Sequence, residues 1–448
     1  MEKRIIIIGA GPTGLGAAYR LLQLGYKNWS IYEKNNYVGG LSASFKDAKG
    51  FTWDIGGHVL FSNYPRFTSI FEALLKGQYL THERKAFIRA FDRWIPYPFQ
   101  NNLRYLPRKH LLECIYGIID AQKYNRTSKN FREWVYNSFG EGVARYFMLP
   151  HNSKVWTYPL ELMDKNWISE RVSPVNATRI LENIIYQRDD VSWGPNNKFK
   201  FPLYGGTQGI FKKIEPVVAE YLFLKYELAG IDIKAKVARF KNSSEDRYDI
   251  LINTSPLDSL ARMISPLKAD LLKKADTLKH NSVLIVGVGL KGRCPEKKCW
   301  VYSPEGKAPF FRVTYFSNYS PNNVPDEKKY WSLMCETAYS RYSPQNKGRI
   351  IEKTLKGLKN CSILEGGYKE RIVSTYLIDS DYAYPIPTLK RDLTLDALQG
   401  FLEDNSIFSR GRFGAWKYEI GNMDHSFMQG VEIAEKLLLN KKESVWKS

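Results

Sequence analysis

The chain has 448 residues, 44% of them hydrophobic, which supports two or three packed domains and excludes a disordered or fibrous protein. Its formal net charge of +20 suits an anionic partner: nucleic acid, an acidic membrane surface or a phosphorylated small molecule. The basic residues are spread along the chain without an arginine-rich tail, so nucleic acid is not expected among the partners.

In chain order, the first element is a β-branched strand, Ile5 to Ile8, running into Gly9-Ala10-Gly11-Pro12-Thr13-Gly14 and then a helix from Ala17 to Leu24. Strand, G-x-G-x-x-G and helix together are the context of a dinucleotide fingerprint: Gly9 turns the chain, Gly11 admits a pyrophosphate and Gly14 lets helix pack on strand. A second strand, Trp29 to Tyr32, ends on Glu33, whose carboxylate accepts ribose hydroxyls and disfavours a 2′-phosphate, pointing to FAD or NAD. Then come Val38-Gly39-Gly40-Leu41-Ser42 and Asp54-Ile55-Gly56-Gly57-His58, a glycine-rich pair of segments that simple NAD enzymes lack. They resemble the flavin-contacting stretch of the amine oxidase and protoporphyrinogen oxidase superfamily.

Ala86 to Phe91 alternates as a strand, and residues from Pro107 to Asn183 read as helices, with apolar positions at Leu111, Leu112, Ile115, Ile118 and Ile119. Leu203 to Gly209 is a glycine turn before another helix, and Tyr248 to Thr254 returns to the nucleotide sheet. Lys268 to Lys279 has the spacing of a solvated helix face. Val283 to Val288, Phe311 to Tyr315, Trp331 to Thr337 and Arg371 to Leu377 predict a mostly antiparallel sheet. The closing run, Gly411 to Met428, sets an arginine, aromatics and an amide before a helix. Apart from the first strand the longest apolar run is Val283 to Leu290, too short to span a bilayer. The cysteines at 114, 294, 299, 335 and 361 form no C-x-x-C, so no metal site is expected and a reducing, cytoplasmic setting is.

Trp94-Ile95-Pro96-Tyr97-Pro98-Phe99-Gln100-Asn101-Asn102, Asn152-Ser153-Lys154-Val155-Trp156, Glu170-Arg171-Val172, Trp193-Gly194-Pro195-Asn196, Gly205-Gly206-Thr207 and the closing run resemble, in the same order, the eukaryotic-type branch of the UDP-galactopyranose mutases. The resemblance implies interconversion of UDP-galactopyranose and UDP-galactofuranose through a reduced-flavin N5–sugar adduct with no net redox. It implies Arg312, Arg412 and His58 as catalytic, both arginines on the pyrophosphate and His58 with its backbone against the flavin. Tyr302, Tyr384, Tyr418 and Asn422 match diphosphate contacts, Tyr97, Phe99 and Gln100 the uridine site, and Asn152, Trp156, Arg171, Asn196 and Trp300 the sugar and its covering loops. FAD would be held by Gly9, Gly11, Pro12, Thr13, Gly14, Glu33, Gly39, Gly40, Leu41, Ser42, Gly56, Gly57 and His58, and by Gly411, Arg412, Asn422, Met423, Asp424 and Ser426. Departures are Gln208, where the family commonly has glycine, and Ala86, where fungal members carry serine near Arg84, the arginine linked to reduction by NADPH. NADPH or NADH is the expected reductant.

The expected fold is α/β. Residues 1–80, 203–262 and 385–448 make a Rossmann-like FAD-binding domain, 100–190 an inserted helical domain with mobile loops, and 81–99, 191–202 and 263–384 an antiparallel substrate sheet. Another UDP-sugar, UDP-arabinose or UDP-N-acetylgalactosamine, is the nearest alternative; an amine oxidase-type oxidoreductase or a non-catalytic nucleotide-sugar binder are the others.

Overall fold

The computed structural model describes residues 2–123, 126–168, 172–191 and 197–446. Ile5–Ile8 is wholly buried at the centre of a five-stranded sheet, in the order Ile407–Ser409, Ile250–Asn253, Ile5–Ile8, Trp29–Glu33, Leu222–Leu224. Every pairing in it is parallel. Strands buried on both faces read as continuous apolar runs, which is why four consecutive isoleucines are tolerated. At the carboxyl ends, Thr254 donates its hydroxyl to the Ile8 carbonyl at 2.8 Å and closes the turn at Gly9.

The fingerprint helix Pro12–Gln23 packs against the last long helix, Met423–Leu439, backbone to backbone. A Cβ on Gly16 would stand 2.3 Å from the Phe427 carbonyl, and one on Gly430 would stand 1.9 Å from that of Thr13. The first turns of Pro12–Gln23 therefore lie against the stretch Phe427 to Gly430 of Met423–Leu439.

A seven-stranded sheet runs Ile372–Ile386, Lys279–Lys291, Tyr330–Tyr339, Arg312–Tyr315, Trp300–Tyr302, Ala86–Ala90, Arg93–Pro96. All its pairings are antiparallel except that of Trp300–Tyr302 with Ala86–Ala90. Its register places Tyr302, Arg312, Glu336 and Ile285 in one row across neighbouring strands.

Several expectations shift. Lys268 to Lys279 is not one helix: Ala269–Ala275 is helical, and Lys279 already opens the long central strand. In Arg108–Lys123 the inward residues are Cys114, Ile118 and Ala121, while Leu112 and Ile119 face outward. The contact itself explains this, because Gly117 meets Gly140 of Phe131–Val143, where a Cβ on Gly140 would lie 2.1 Å from the Gly117 carbonyl. Two glycines in van der Waals range choose the buried face among apolar positions that cover more than one side. A four-stranded sheet, Glu245–Arg247, Val237–Phe240, Leu228–Asp232 and Ile264–Ser265, was not foreseen.

Gly430→Ala should destabilise the protein by about 1 to 3 kcal/mol or more, the usual cost of overpacking, because the added methyl meets backbone that cannot rotate away. Gly400→Ala, in the interior of Arg391–Asp404 with nothing within 4 Å, should be neutral or stabilising by up to about 1 kcal/mol. Thermal unfolding of the two variants checks this; equal midpoints would contradict it.

Candidate functional site

A cavity of about 1400 Å³ opens at the carboxyl ends of the parallel strands and runs beneath the seven-stranded sheet. Gly9, Gly11, Pro12, Thr13, Glu33, Gly40, Leu41, Ser42, Gly56, Gly57, His58, Asn422, Met423, Asp424 and Ser426 line it. The first turn of Pro12–Gln23 has no side-chain cap, and neither has that of Met423–Leu439, so two helix N-termini present amides to one cavity. That is the arrangement a pyrophosphate needs. Glu33 is held in place by the Ala10 N–H at 2.8 Å and by the Asn35 N–H and side-chain amide at 2.9 and 2.8 Å. Oε2, which accepts only the Ala10 N–H, keeps acceptor capacity for a ribose hydroxyl. Gly40, at φ +52°, faces Gly11, whose Cα would lie 3.1 Å from an added Cβ. The two glycine-rich segments thus form one channel narrow enough to exclude side chains. The residues present fit an extended dinucleotide.

Three expected cofactor residues stand behind the wall instead of on it. A Cβ on Gly14 would overlap the Gly9 carbonyl at 1.8 Å, Gly39 donates its N–H to the Ala10 carbonyl at 2.8 Å, and Gly411 approaches Thr13 so closely that a Cβ would lie 2.3 Å from its hydroxyl. They shape the channel through backbone contact.

At the other end, Arg312, Arg412, Tyr97, Gln100, Asn152, Trp156, Trp300, Tyr302, Tyr384 and Tyr418 line the same cavity. Arg412 donates to the carbonyls of Ala383 and Gly421 at 3.1 and 2.9 Å and lies 5.0 Å from the Tyr384 ring centroid and 5.6 Å from that of Tyr418. Trp156 meets both tyrosines edge to face, its indole N–H held at 3.2 Å by Asn152, which in turn donates to the Met148 carbonyl. Burial pushes the Tyr97, Tyr302 and Tyr384 phenols up, so they are neutral donors. Gln100 spends one amide hydrogen on the Ser173 carbonyl at 3.0 Å and keeps its oxygen.

Phe99 corrects the expectation: it is fully buried and stacks on Phe147 at 4.9 Å and 13°, and Phe147 reaches the cavity in its place. After Pro98 the chain enters the tight turn Phe99–Asn101, which sends Phe99 into the helical core. Arg171 and Asn196 lie outside the described residues.

Other residues were missed. Glu336 grips Arg312 with both oxygens, at 2.6 and 2.7 Å, and accepts the Gly57 N–H at 3.2 Å. A lone acid inside the buried strand Tyr330–Tyr339 was the available signal. Burial alone would lower the Arg312 guanidinium, but Glu336 holds it well above its ordinary range. Lys154 donates to the carbonyls of Ser303, Glu305, Ala308 and Phe310 at 2.5 to 3.3 Å, tying the loop before Arg312 to the helix Leu149–Trp156; burial takes its ammonium down to about 8. Asp54, raised by burial to about 6, accepts from Ser44 at 2.5 Å and from the Thr207 N–H at 3.0 Å, and so seats the Gly205-Gly206-Thr207 turn. His151, also on the wall, stacks on Phe147 at 5.1 Å.

A parallel sheet with two helix N-termini on one cavity, joined to a sheet that supplies arginines and phenols, defines a Rossmann-type flavoprotein with an attached anion site. Residues 7–74 match the family model of the NAD(P)-binding Rossmann-like domain. Over 86 residues the chain is 40% identical to 4,4'-diaponeurosporene oxygenase of Staphylococcus aureus strain USA300, a segment covering 19% of this chain and 17% of that protein. The chain thus spans about 17% of the length of the curated relatives it matches. A crystal structure of reduced UDP-galactopyranose mutase is 42% identical, with a TM-score of 0.96, covering 100% of this chain and 96% of that one. Putrescine oxidase with bound putrescine, at 15% identity and a TM-score of 0.66 over 98% of this chain and 99% of that one, shares the fold alone. The chain belongs to the UDP-galactopyranose mutase family.

Burial, then Arg412 and Arg312, hold the His58 imidazole down to about 3; burial, then Lys154 and Arg312, do the same to His151. Both stay neutral in the folded chain where unfolded histidines, near 6.5, take up protons. Their contribution is full above that value and is lost as pH falls from 6.5 toward about 3. Asp54 acts in the opposite sense between 3.8 and about 6, where the folded chain alone holds the proton. Denaturant unfolding at about pH 7.5 and about pH 5 should show a loss that a His58→Asn/His151→Asn double variant reduces; an identical loss in the variant would contradict the assignment.

Proposed function

We propose that the chain is a flavin-dependent UDP-galactopyranose mutase, interconverting UDP-galactopyranose and UDP-galactofuranose without net redox. The observation that carries this reading is the meeting, in one cavity, of a dinucleotide channel with Arg312 and Arg412, both close enough to neutral His58 to help hold its imidazole down. In its reduced form, bound FAD supplies a nucleophilic nitrogen for the anomeric carbon. The chain's residues do the rest. Arg312 and Arg412 hold the diphosphate and stabilise the charge that develops as it departs, with the forked geometry that phosphate oxygens need. Tyr302, Tyr384, Tyr418 and Asn422 add hydrogen-bond donors. Tyr97 and Gln100 take the uridine, with Phe147 replacing Phe99 at the wall, and Asn152 holds Trp156 beside the sugar. Arg171 and Asn196, matched to the sugar by the family resemblance, complete the set of substrate residues. A neutral His58 adds no third cation to this site.

In the same reading, residues 1–80, 203–262 and 385–448 form the FAD-binding domain, 100–190 the helical domain, and 81–99, 191–202 and 263–384 the substrate sheet. NADPH or NADH is the reductant, received near Arg84, which lines the cavity, lies 5.4 Å from the Tyr97 ring centroid and donates to the Val191 carbonyl at 2.7 Å. The free cysteines support a reducing, cytoplasmic setting. Among the described residues no helix is long and apolar enough to cross a membrane.

Purified protein incubated with UDP-galactofuranose should form UDP-galactopyranose only after reduction, with no reductant consumed per turnover. Equal conversion by the fully oxidised protein, or none by the reduced one, would overturn the reading. Arg312→Ala and Arg412→Ala should each raise the barrier by about 2 to 4 kcal/mol while FAD stays bound, and lysine should restore only part. Wild-type turnover in both alanine variants would remove these residues from the mechanism.

A further inference from the structure

We propose that Glu336 is the positioning residue of the anion site: it fixes the plane of the Arg312 guanidinium and tempers its charge, so that a diphosphate is held through the reaction without being trapped. Arg312 and Glu336 stand directly opposite one another on neighbouring antiparallel strands, so the pair is built into the sheet register. Its bonds run from Nε to Oε1 at 2.6 Å and from Nη2 to Oε2 at 2.7 Å, the two-pronged geometry that leaves the guanidinium no rotational freedom. Nη1 and the second Nη2 hydrogen remain for a ligand. The glutamate side chain is only 3% exposed and the arginine 20%, so water screens the pair little.

The same carboxylate reaches the channel wall. Its Oε1 also accepts the Gly57 N–H, and a Cβ on Gly57 would lie 3.3 Å from that oxygen and 3.5 Å from the Arg312 guanidinium carbon. Glu336 thus ties the arginine to the Gly56-Gly57-His58 turn, and a displacement of either is felt by the other. Energetically, a buried cation stripped of its counter-charge is costly and takes any anion that restores neutrality. A diphosphate that must leave the sugar and then return is poorly served by an uncompensated arginine. Tight binding that is equal in ground and transition states lowers KM without raising kcat.

The inference rests on the mutase reading for its kinetics but not for its binding test. Glu336→Gln keeps the size but removes the charge and one of the two acceptors, since its NH2 would face an arginine N–H. UDP titration of the FAD-bound protein should show several-fold tighter binding than wild type and a larger UDP-induced rise in Tm. In the galactofuranose assay kcat should fall roughly tenfold to a hundredfold, the cost of a misaligned binding group. A merely structural residue would instead lose UDP affinity, FAD and kcat together. Unchanged or weaker UDP binding, or an unchanged kcat, would overturn the proposal. If Glu336→Gln does not fold, Glu336→Asp decides: charge retained but withdrawn by one methylene should keep UDP affinity near wild type and lower kcat, and unchanged kcat would overturn it. If wild type itself converts no substrate, the mutase reading fails, and the UDP titration still tests the tempering of charge.

Discussion

The contact between Pro12–Gln23 and Met423–Leu439 is the constraint from which the site follows. Gly16 and Gly430 let these helices approach backbone to backbone, and the approach brings the Arg412 to Asn422 run beside the first glycine loop. With any side chain at those glycines the helices would stand apart. The N-terminal amides of Met423–Leu439, and Arg412 with them, would then leave the cavity. Packing and anion recognition are here one geometric fact.

Charge is organised around that fact. Positive residues spread over a chain of net charge +20 specify nothing by themselves. In the cavity, however, Arg312 is oriented by Glu336, Arg412 is held by carbonyls and rings, and two histidines are kept neutral by burial and by the cations near them. The result is a local surplus of cationic donors in a partly dry setting, where a diphosphate gains most. Lys154 contributes at a distance, stapling the Ser303 to Phe310 loop that leads into Arg312.

What the sequence made legible was local. The Ile5–Ile8 strand, the glycine spacing and Glu33 lie within a few turns of chain, and their mutual geometry is set by covalent connection. The strands of the second sheet could be read from their residues, but not their register, so the Arg312–Glu336 pair was invisible although both residues were in view. Phe99 entered the uridine site through the family resemblance, and the turn after Pro98 that sends it into the helical core was not legible in the residues around it. Leu112 and Ile119 stood on a par with Ile118 in the apolar pattern, because periodicity cannot show which face two glycines will bring into contact. The arginines themselves carried meaning only through the family resemblance; composition offers many like them.

In the proposed function, one cavity holds the dinucleotide and, beside it, a nucleotide diphosphate between the two arginines. A crystal structure of the protein with FAD and UDP tests it most directly. FAD phosphates should lie at the N-termini of both helices and the UDP diphosphate within hydrogen-bonding distance of Arg312 and Arg412, with the Glu336 bridge intact. UDP seated elsewhere, or its diphosphate contacting neither arginine, would contradict it.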